Sequence, residues 1–339
     1  MVDSLQVNSR TLFLESELWF FLFTEKSRMS IKTTVVVRVH GDTPYLRQAL
    51  HSILKQSVID QIAILIVVDR PSTLSMEIVY EFISSKKVRV IESSIPGGPN
   101  ALNVGLYEVK SEFTAILDAD DIMESTRIEK QVDFLNNNQD IVVVGSGIKI
   151  IDASGQVVGS KKYESDPRII WENRYSNVPL ANPAVLFRTN FVKEIGGYRS
   201  FYPYGDDPDL WFRIMERGRI SNLPEYLTFY REHDNQLTRI HRKKIILHGL
   251  AVHKSARNRA IGKPDLSEIY SSVEEWGKRP LVKFMVQKRL VERNAIENLL
   301  HYIKSRDLIK TIMYSCLCLA VNPKSIIAYA LRFLRRPSR

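Results

Sequence analysis

The apolar run Phe113-Thr114-Ala115-Ile116-Leu117 stops abruptly at three carboxylates, Asp118, Asp120 and Asp121. A short β-rich segment ending in acids reads as a buried strand whose carboxyl end opens into a crevice, the usual ligand position in open α/β sheets. Along an extended segment Asp118 and Asp120 point the same way. Two carboxylates on one side repel unless a cation lies between them, and hard oxygen ligands of this kind suit Mg²⁺ or Mn²⁺ carrying a phosphate. Asp-x-Asp also arises by chance, so a solvated cluster at the start of a helix capped by Ser125 competes with the metal reading.

The elements that must position these acids follow from periodicity. Thr33 to Val39 is nearly all β-branched and Ile62 to Asp69 is apolar up to its terminal carboxylate, so both read as strands buried on two faces. Val88 to Ile91 is a third such strand and Phe113 to Leu117 a fourth. Between them, Thr43-Pro44 opens a helix, Pro71-Ser72-Thr73 opens a second, Asn100 to Val109 forms a third, and Ser125 to Asn137 follows the acids. Strand and helix alternate as in a parallel sheet covered on both faces, with two acid-ended strands at one edge. The rhythm then changes. Ile141 to Ile151 and Gln156 to Val158 flank the turn Asp152-Ala153-Ser154-Gly155 as a hairpin, with a short helix at Asp166 to Asn173. Ala184 to Phe187 is a short strand, Asp206 to Arg217 a helix and Tyr226 to Tyr230 a closing strand. From Arg242 to Leu319 the pattern is helical, broken near Trp276 and Pro280.

Composition separates the parts further. The 339 residues carry a formal charge of +10, but residues 241–339 hold 21 basic against 7 acidic side chains, which leaves residues 1–240 slightly acidic. The two cysteines, Cys316 and Cys318, form neither a disulfide framework nor a zinc pattern, so a reducing cytoplasmic setting is expected. Residues 1–30 lack the basic start and cleavage site of a secretory signal and read as a leader outside the fold. Residues 31–240 form the main domain, and 241–339 a basic, mainly helical region. Within it, Thr311 to Val321 and Ser325 to Leu331 are too short to span a bilayer and, flanked by Lys and Arg, suit in-plane helices on the anionic inner face of the cell membrane. Binding to anionic vesicles that salt reverses is the expected sign of that peripheral seat; a helical subdomain packed on the core is the alternative. No nucleic acid partner is expected.

Five ordered motifs between about residues 33 and 238 together resemble a family 2 glycosyltransferase of the GT-A fold. They are Val68-Asp69-Arg70-Pro71-Ser72, with Val37-Arg38-Val39-His40-Gly41 upstream; Gly97-Gly98-Pro99-Asn100-Ala101-Leu102-Asn103; Asp118-Ala119-Asp120; Gly196-Gly197-Tyr198-Arg199 with Gly205-Asp206-Asp207-Pro208-Asp209-Leu210-Trp211; and Tyr230-Arg231-Glu232-His233. The resemblance implies a Rossmann-like, mostly parallel central sheet with helices on both faces. It also implies a nucleotide-sugar donor, a UDP-sugar in the first instance, and a divalent ion, Mn²⁺ or Mg²⁺. By the same match Asp69 accepts from the base N–H and the backbone near Val39 holds the base, while Asn103 is a lesser donor-binding candidate on a helix where Leu102 stands in place of a common arginine. Asp118 lies by the ribose and metal, Asp120 ligates the metal, and His233 reaches the diphosphate or metal. Asp207 is the matching general base, its proton affinity raised by Asp206 beside it, and Trp211 is read as core before acceptor pocket. The Gln-x-x-Arg-Trp signature of processive synthases is missing, which argues for one sugar per encounter, passed to a glycan or lipid-linked saccharide in surface polysaccharide biosynthesis.

Two rivals belong to other classes. A haloacid dehalogenase-like phosphohydrolase would use Asp118 and Asp120, but Ile122 stands where that motif wants Thr or Val and three strands precede the acids. A non-catalytic module would use the basic tail alone to bind membrane or nucleic acid.

Overall fold

The computed structural model describes the backbone of residues 31–304 and side chains to 299, position 177 apart. The leader expected at 1–30 and the amphipathic segments expected at 311–331 therefore lie outside the described residues. Two compact units divide between Asp234 and Asn235.

In the first unit, strand β1 (Thr33–Gly41) is enclosed along most of its length because Val35, Val36, Val37 and Val39 are all fully buried. Helix α1 (Leu46–Leu54) starts two residues after Pro44, and β2 (Ile62–Pro71), α2 (Thr73–Phe82) and β3 (Val88–Glu92) follow. Helix α3 (Gly98–Glu108) leads into β4 (Phe113–Asp118). Helix α3 packs so closely that a Cβ on Gly105 would lie 2.8 Å from Val36 Cγ1 and 2.9 Å from Val67 Cγ2, which explains a glycine in mid-helix. The order β3-β2-β1-β4 is parallel throughout, as the alternating pattern predicts.

The rest of the sheet is mixed. A two-residue strand β5 (Ile122–Met123) and helix α4 (Arg127–Asn137) lead to β6 (Ile141–Ile151), which forms the expected hairpin with β7 (Val157–Lys161). Ser125 does not cap α4: its hydroxyl donates to Glu124, whose carboxylate also takes the Thr126 N–H, and the helix starts at Arg127. The solvated, Ser125-capped cluster is thus replaced by a turn closed before the helix begins. Helix α5 (Pro167–Glu172), strand β8 (Leu186–Arg188), helix α6 (Thr189–Glu194) and helix α7 (Asp206–Met215) complete the crossings. The last strand, β9 (Arg219–Arg231), is far longer than the five residues its apolar stretch suggests, because the Ser221 hydroxyl donates to the Ser165 carbonyl and Asn222 Nδ2 to the Glu164 and Pro179 carbonyls while the strand pairs along β6. Antiparallel β8 joins β4 to β6, and β9 carries β5 at the far edge.

The second unit is helical: α8 (Leu237–Ile240), α9 (Arg242–Arg259), α10 (Leu266–Ile269), α11 (Val273–Gly277) and α12 (Pro280–Lys304). The break at Pro280 is as expected. A second break near Gly262, whose φ is +66°, is fixed by the Asp265 capping box at the start of α10. Among the described residues no helix is long and apolar enough to cross a membrane.

Candidate active site

Parallel register puts the acid-ended strands β2 and β4 on either side of β1, with His40 opposite Asp69 and Arg38 opposite Asp118. Val39 is fully buried beside Val68, so only its backbone faces this edge. After β4 the chain turns at once, closed by the Asp121 N–H to the Asp118 carbonyl at 3.1 Å. Strand β5 then pairs with Thr228 and Phe229 of β9, which draws the Tyr230-Arg231-Glu232-His233 segment onto the turn. This pairing is why residues more than a hundred positions apart meet.

The contacts are specific. The Arg231 N–H donates to Asp121 Oδ1 at 2.8 Å and its Nε to the Asp120 carbonyl at 2.9 Å. The same guanidinium reaches the Asp152 carbonyl and Gln48 and lies 4.2 Å from the centre of the Tyr45 ring. His233 Nε2 is 3.0 Å from Asp120 Oδ2, with Tyr45 against its ring. Oxygens of Asp118, Asp120 and Asp121 lie within 4.8 Å of one another, and Asp121 Oδ2 is buried without a hydrogen-bond partner. Beneath them Arg127, fully buried, donates to the Ile116 carbonyl at 3.0 Å and the Val185 carbonyl at 2.9 Å.

Burial and crowding set the charges. Asp118 is pushed up to about 7 by burial and then by Asp120, against the pull of Arg38. Asp121 rises well above the carboxylate range for the same two reasons, burial first and then the charges of Asp120 and Asp118. Arg127 falls to about 9 through burial, despite the acids above it. A turn of three carboxylates that resist shared ionisation, one with an orphaned oxygen, fits a hard divalent cation.

The second acidic group opens α7. Asp209 is fully buried between Arg199 and Arg213, with 2.9 Å to Arg213 Nε, and is structural. Asp206 is pushed up to about 6 by burial, while Asp207 is raised well beyond its ordinary range by burial and by the charges of Asp206 and Asp118. The action of Asp118 on Asp207 puts the two groups in one electrostatic neighbourhood. The Tyr163 and Tyr198 hydroxyls share it, both raised by burial first and then by acids that include Asp207. Neither tyrosine was singled out by its sequence context, although Tyr198 stands in the Gly-Gly-Tyr-Arg motif. Trp211 is fully buried and belongs to the core.

Two candidates have their side chains engaged elsewhere. Asn103 Nδ2 donates to the Tyr198 carbonyl at 2.6 Å and its Oδ1 accepts from the Tyr198 N–H at 2.8 Å. Both ends of the amide thus hold the loop before α7. Asp69, fully buried, sits apart from the metal-type cluster, among Arg38, His40 and Arg70. The Asn103 clamp leaves no room beside it: Gly197 has φ +58°, and a Cβ there would lie 2.3 Å from Asn103 Oδ1. Gly197→Ala is therefore expected to destabilise the protein by about 2 kcal/mol, read as a lower denaturant midpoint.

Comparison with known proteins bears on the family and the fold. The profile of the family described as "Glycosyl transferase family 2" matches residues 34–194. The amylovoran biosynthesis glycosyltransferase AmsE of Erwinia amylovora is 31% identical over 186 residues, 54% of this chain and 68% of that protein. Among solved structures, residues 1–349 of S. aureus TarS in complex with UDP-GlcNAc align with a TM-score of 0.55 at 16% identity, covering 82% of this chain and 89% of that one. This chain spans 54% of a longer TarS chain that it also matches. The mannosyltransferase PcManGT of Pyrobaculum calidifontis, in complex with GDP-Man and Mn2+, aligns with a TM-score of 0.51 at 16% identity, covering 74% of this chain and 71% of that one. Those two likenesses show a shared GT-A-type fold, and with the family profile and the AmsE relationship they establish that this chain is a glycosyltransferase and belongs to glycosyl transferase family 2.

Proposed function

We propose that this enzyme is an inverting, metal-dependent glycosyltransferase that moves one sugar from a nucleotide-sugar donor, first among them a UDP-sugar, to a hydroxyl of a glycan or lipid-linked saccharide. Surface polysaccharide biosynthesis at the cytoplasmic face of the membrane is the setting this reading favours. The observation that supports it most is the meeting of the Asp118–Asp121 turn with His233 while Asp118 acts electrostatically on Asp207.

In this mechanism Val39, through its backbone, and the group around Asp69 take the base, and Asp118 takes the ribose side of the donor. Asp118, Asp120 and Asp121 would hold the cation, with His233 at the cation or the donor diphosphate. When bound, Mn²⁺ or Mg²⁺ supplies positive charge against the charge that develops on the leaving nucleoside diphosphate. Asp207, ionised, accepts the proton of the acceptor hydroxyl as its oxygen attacks the anomeric carbon from the face opposite the diphosphate. A new C–O bond forms, the bond to the diphosphate breaks, and the anomeric configuration inverts. Asn103 serves by holding the Tyr198 loop from which α7 departs.

A thermal-shift and turnover screen of nucleotide sugars with and without Mn²⁺ tests this. At about a hundred times Kd, a matching donor with Mn²⁺ is expected to raise Tm by about 5 to 10 °C. Release of nucleoside diphosphate should then depend on an added glycan. A donor that binds equally well in the presence of a chelator would contradict the role of the cation.

A further inference from the structure

The hairpin β6–β7 carries cations that the catalytic reading does not use. From Gly147 to Tyr163 the chain holds Lys149, Lys161 and Lys162 against a single acid, Asp152, although residues 1–240 as a whole are slightly acidic. The Asp152 carboxylate is engaged in the turn, where Oδ1 accepts from the N–H groups of Ser154 and Gln156 and from the Ser154 hydroxyl. Glu225 on β9 lies 4.0 Å from Lys130 Nζ. Each hairpin lysine sits over a ring: Lys149 Nζ is 5.3 Å from the centre of Phe229, Lys162 Nζ 5.4 Å from Tyr226 and Lys161 Nζ 4.5 Å from Tyr163. An aromatic face holds an ammonium group in place, but unlike a carboxylate it leaves the positive charge uncancelled. Among the described residues Lys149 and Lys162 have no acidic partner within 4.0 Å.

Strand register gathers these groups. Lys149 lies opposite Ser160 on β7 and Phe229 on β9, and Gly147, two residues earlier on the same face, lies opposite Tyr226. A Cβ on Gly147 would lie 3.0 Å from Tyr226 Cδ1, so the glycine lets that ring cross β6, and the Tyr226 hydroxyl accepts from Ser160 at 3.4 Å. Thr228, next to Phe229, points the other way and accepts from the buried Arg127 at 3.2 Å, so the lysine-bearing face is turned away from α4. Where the hairpin ends, the Tyr163 hydroxyl is raised by burial and then by the charge of Asp207, which ties these cations to the neighbourhood of the proposed base. The donors here are ammonium groups and a hydroxyl, and no arginine occurs between Gly147 and Tyr163. Point cations suit the tetrahedral oxygens of a phosphate, whereas a planar carboxylate is matched best by a guanidinium fork.

We infer that this face binds a phosphate or diphosphate group carried by the acceptor, with Lys149 and Lys162 as its ligands and with Phe229 and Tyr226 as the rings that position them. This rests on the glycosyl-transfer reading above and narrows its acceptor to a phosphorylated saccharide, such as one joined to a lipid through diphosphate.

The test is calorimetric titration into protein already saturated with UDP or GDP and Mn²⁺, so that the donor site is occupied. Three probes share one tail: undecyl-diphosphate-linked N-acetylglucosamine, the neutral undecyl glycoside of the same sugar, and undecyl glucuronide. The wild type is expected to bind the diphosphate probe at least about tenfold more tightly than either of the others. Lys149→Met and Lys162→Met should each cost about tenfold in that affinity and the double variant about a hundredfold, while the affinity for nucleoside diphosphate, which also reports an intact fold, stays within about twofold. Tyr226→Leu removes the ring under Lys162 but not the charge and should cost about threefold. Equal binding of the neutral probe, or diphosphate binding that ignores both lysines, would overturn the inference. A glucuronide bound as tightly as the diphosphate would overturn the choice of phosphate. Anionic phosphatidylglycerol vesicles that lose affinity for the double variant as strongly as the probe does would assign the face to a membrane surface instead. A wild type that takes the nucleoside diphosphate but not the diphosphate probe sinks this inference alone; one that takes neither UDP nor GDP sinks the nucleotide-sugar reading and this inference with it.

Discussion

Asp207→Asn is expected to lower kcat by about a thousandfold with donor KM changed less than about twofold, as measured by diphosphate release with saturating acceptor. Asparagine keeps the shape at the start of α7 but cannot take a proton from the attacking hydroxyl. The pH profile gives the same prediction a second face. Burial and the charges of Asp206 and Asp118 hold the Asp207 carboxyl above its ordinary range, so the active, ionised fraction falls as pH drops through that raised value. Activity should therefore lie on a plateau on the alkaline side and descend towards acid. Asp206→Asn removes one of the two negative charges and should move the acid limb to lower pH. An unchanged limb, or a kcat within about threefold of wild type in Asp207→Asn, would remove Asp207 from the base role.

Asp120→Asn carries the second large effect. The fold of the turn depends on the Asp120 backbone, whose carbonyl accepts from Arg231 Nε, and on Asp121 Oδ1, which accepts the Arg231 N–H. Replacing the Asp120 carboxylate takes a charge from the proposed cation site and from His233 while leaving those bonds in place. The expected outcome is an unaltered circular dichroism spectrum with donor affinity down by about a hundredfold or more and no response to Mn²⁺. Retained Mn²⁺ dependence would place the cation elsewhere.

Much of the fold was legible in the residues because its first half obeys simple periodicities. The β-branched run at Thr33–Val39 and the acid-ended runs to Asp69 and Asp118 are strands in the parallel order the alternation implies. The later half was harder. Strand β9 carries Ser221, Asn222 and Pro224 through its length, and no apolar alternation reveals a strand whose polar side chains donate to the carbonyls of a neighbouring loop. The two-residue β5 has no signature of its own either, yet it brings Arg231 and His233 to the acids. Site residues divide in the same way. Asp118, Asp120 and His233 meet, and Asp207 shares their field, because ordered motifs report the ends of elements. Arg127 and Arg231 were passed over because a cation on a helix or strand reads as a solvated face; both are buried, and both bind backbone carbonyls. A Ser125 cap was expected where Glu124 does the work instead, since a carboxylate can take two donors at once. Family membership removes both the phosphohydrolase and the non-catalytic alternatives.

The convergence of distant acids on one cation that grips a diphosphate is tested most directly by electron paramagnetic resonance of Mn²⁺ titrated into the wild type and Asp120→Asn, with and without a nucleoside diphosphate. Loss of the free-ion signal in the wild type only when the diphosphate is present, and no such loss in Asp120→Asn, is the predicted result. Mn²⁺ that stays free in the wild type with diphosphate, or that binds Asp120→Asn equally well, would contradict it.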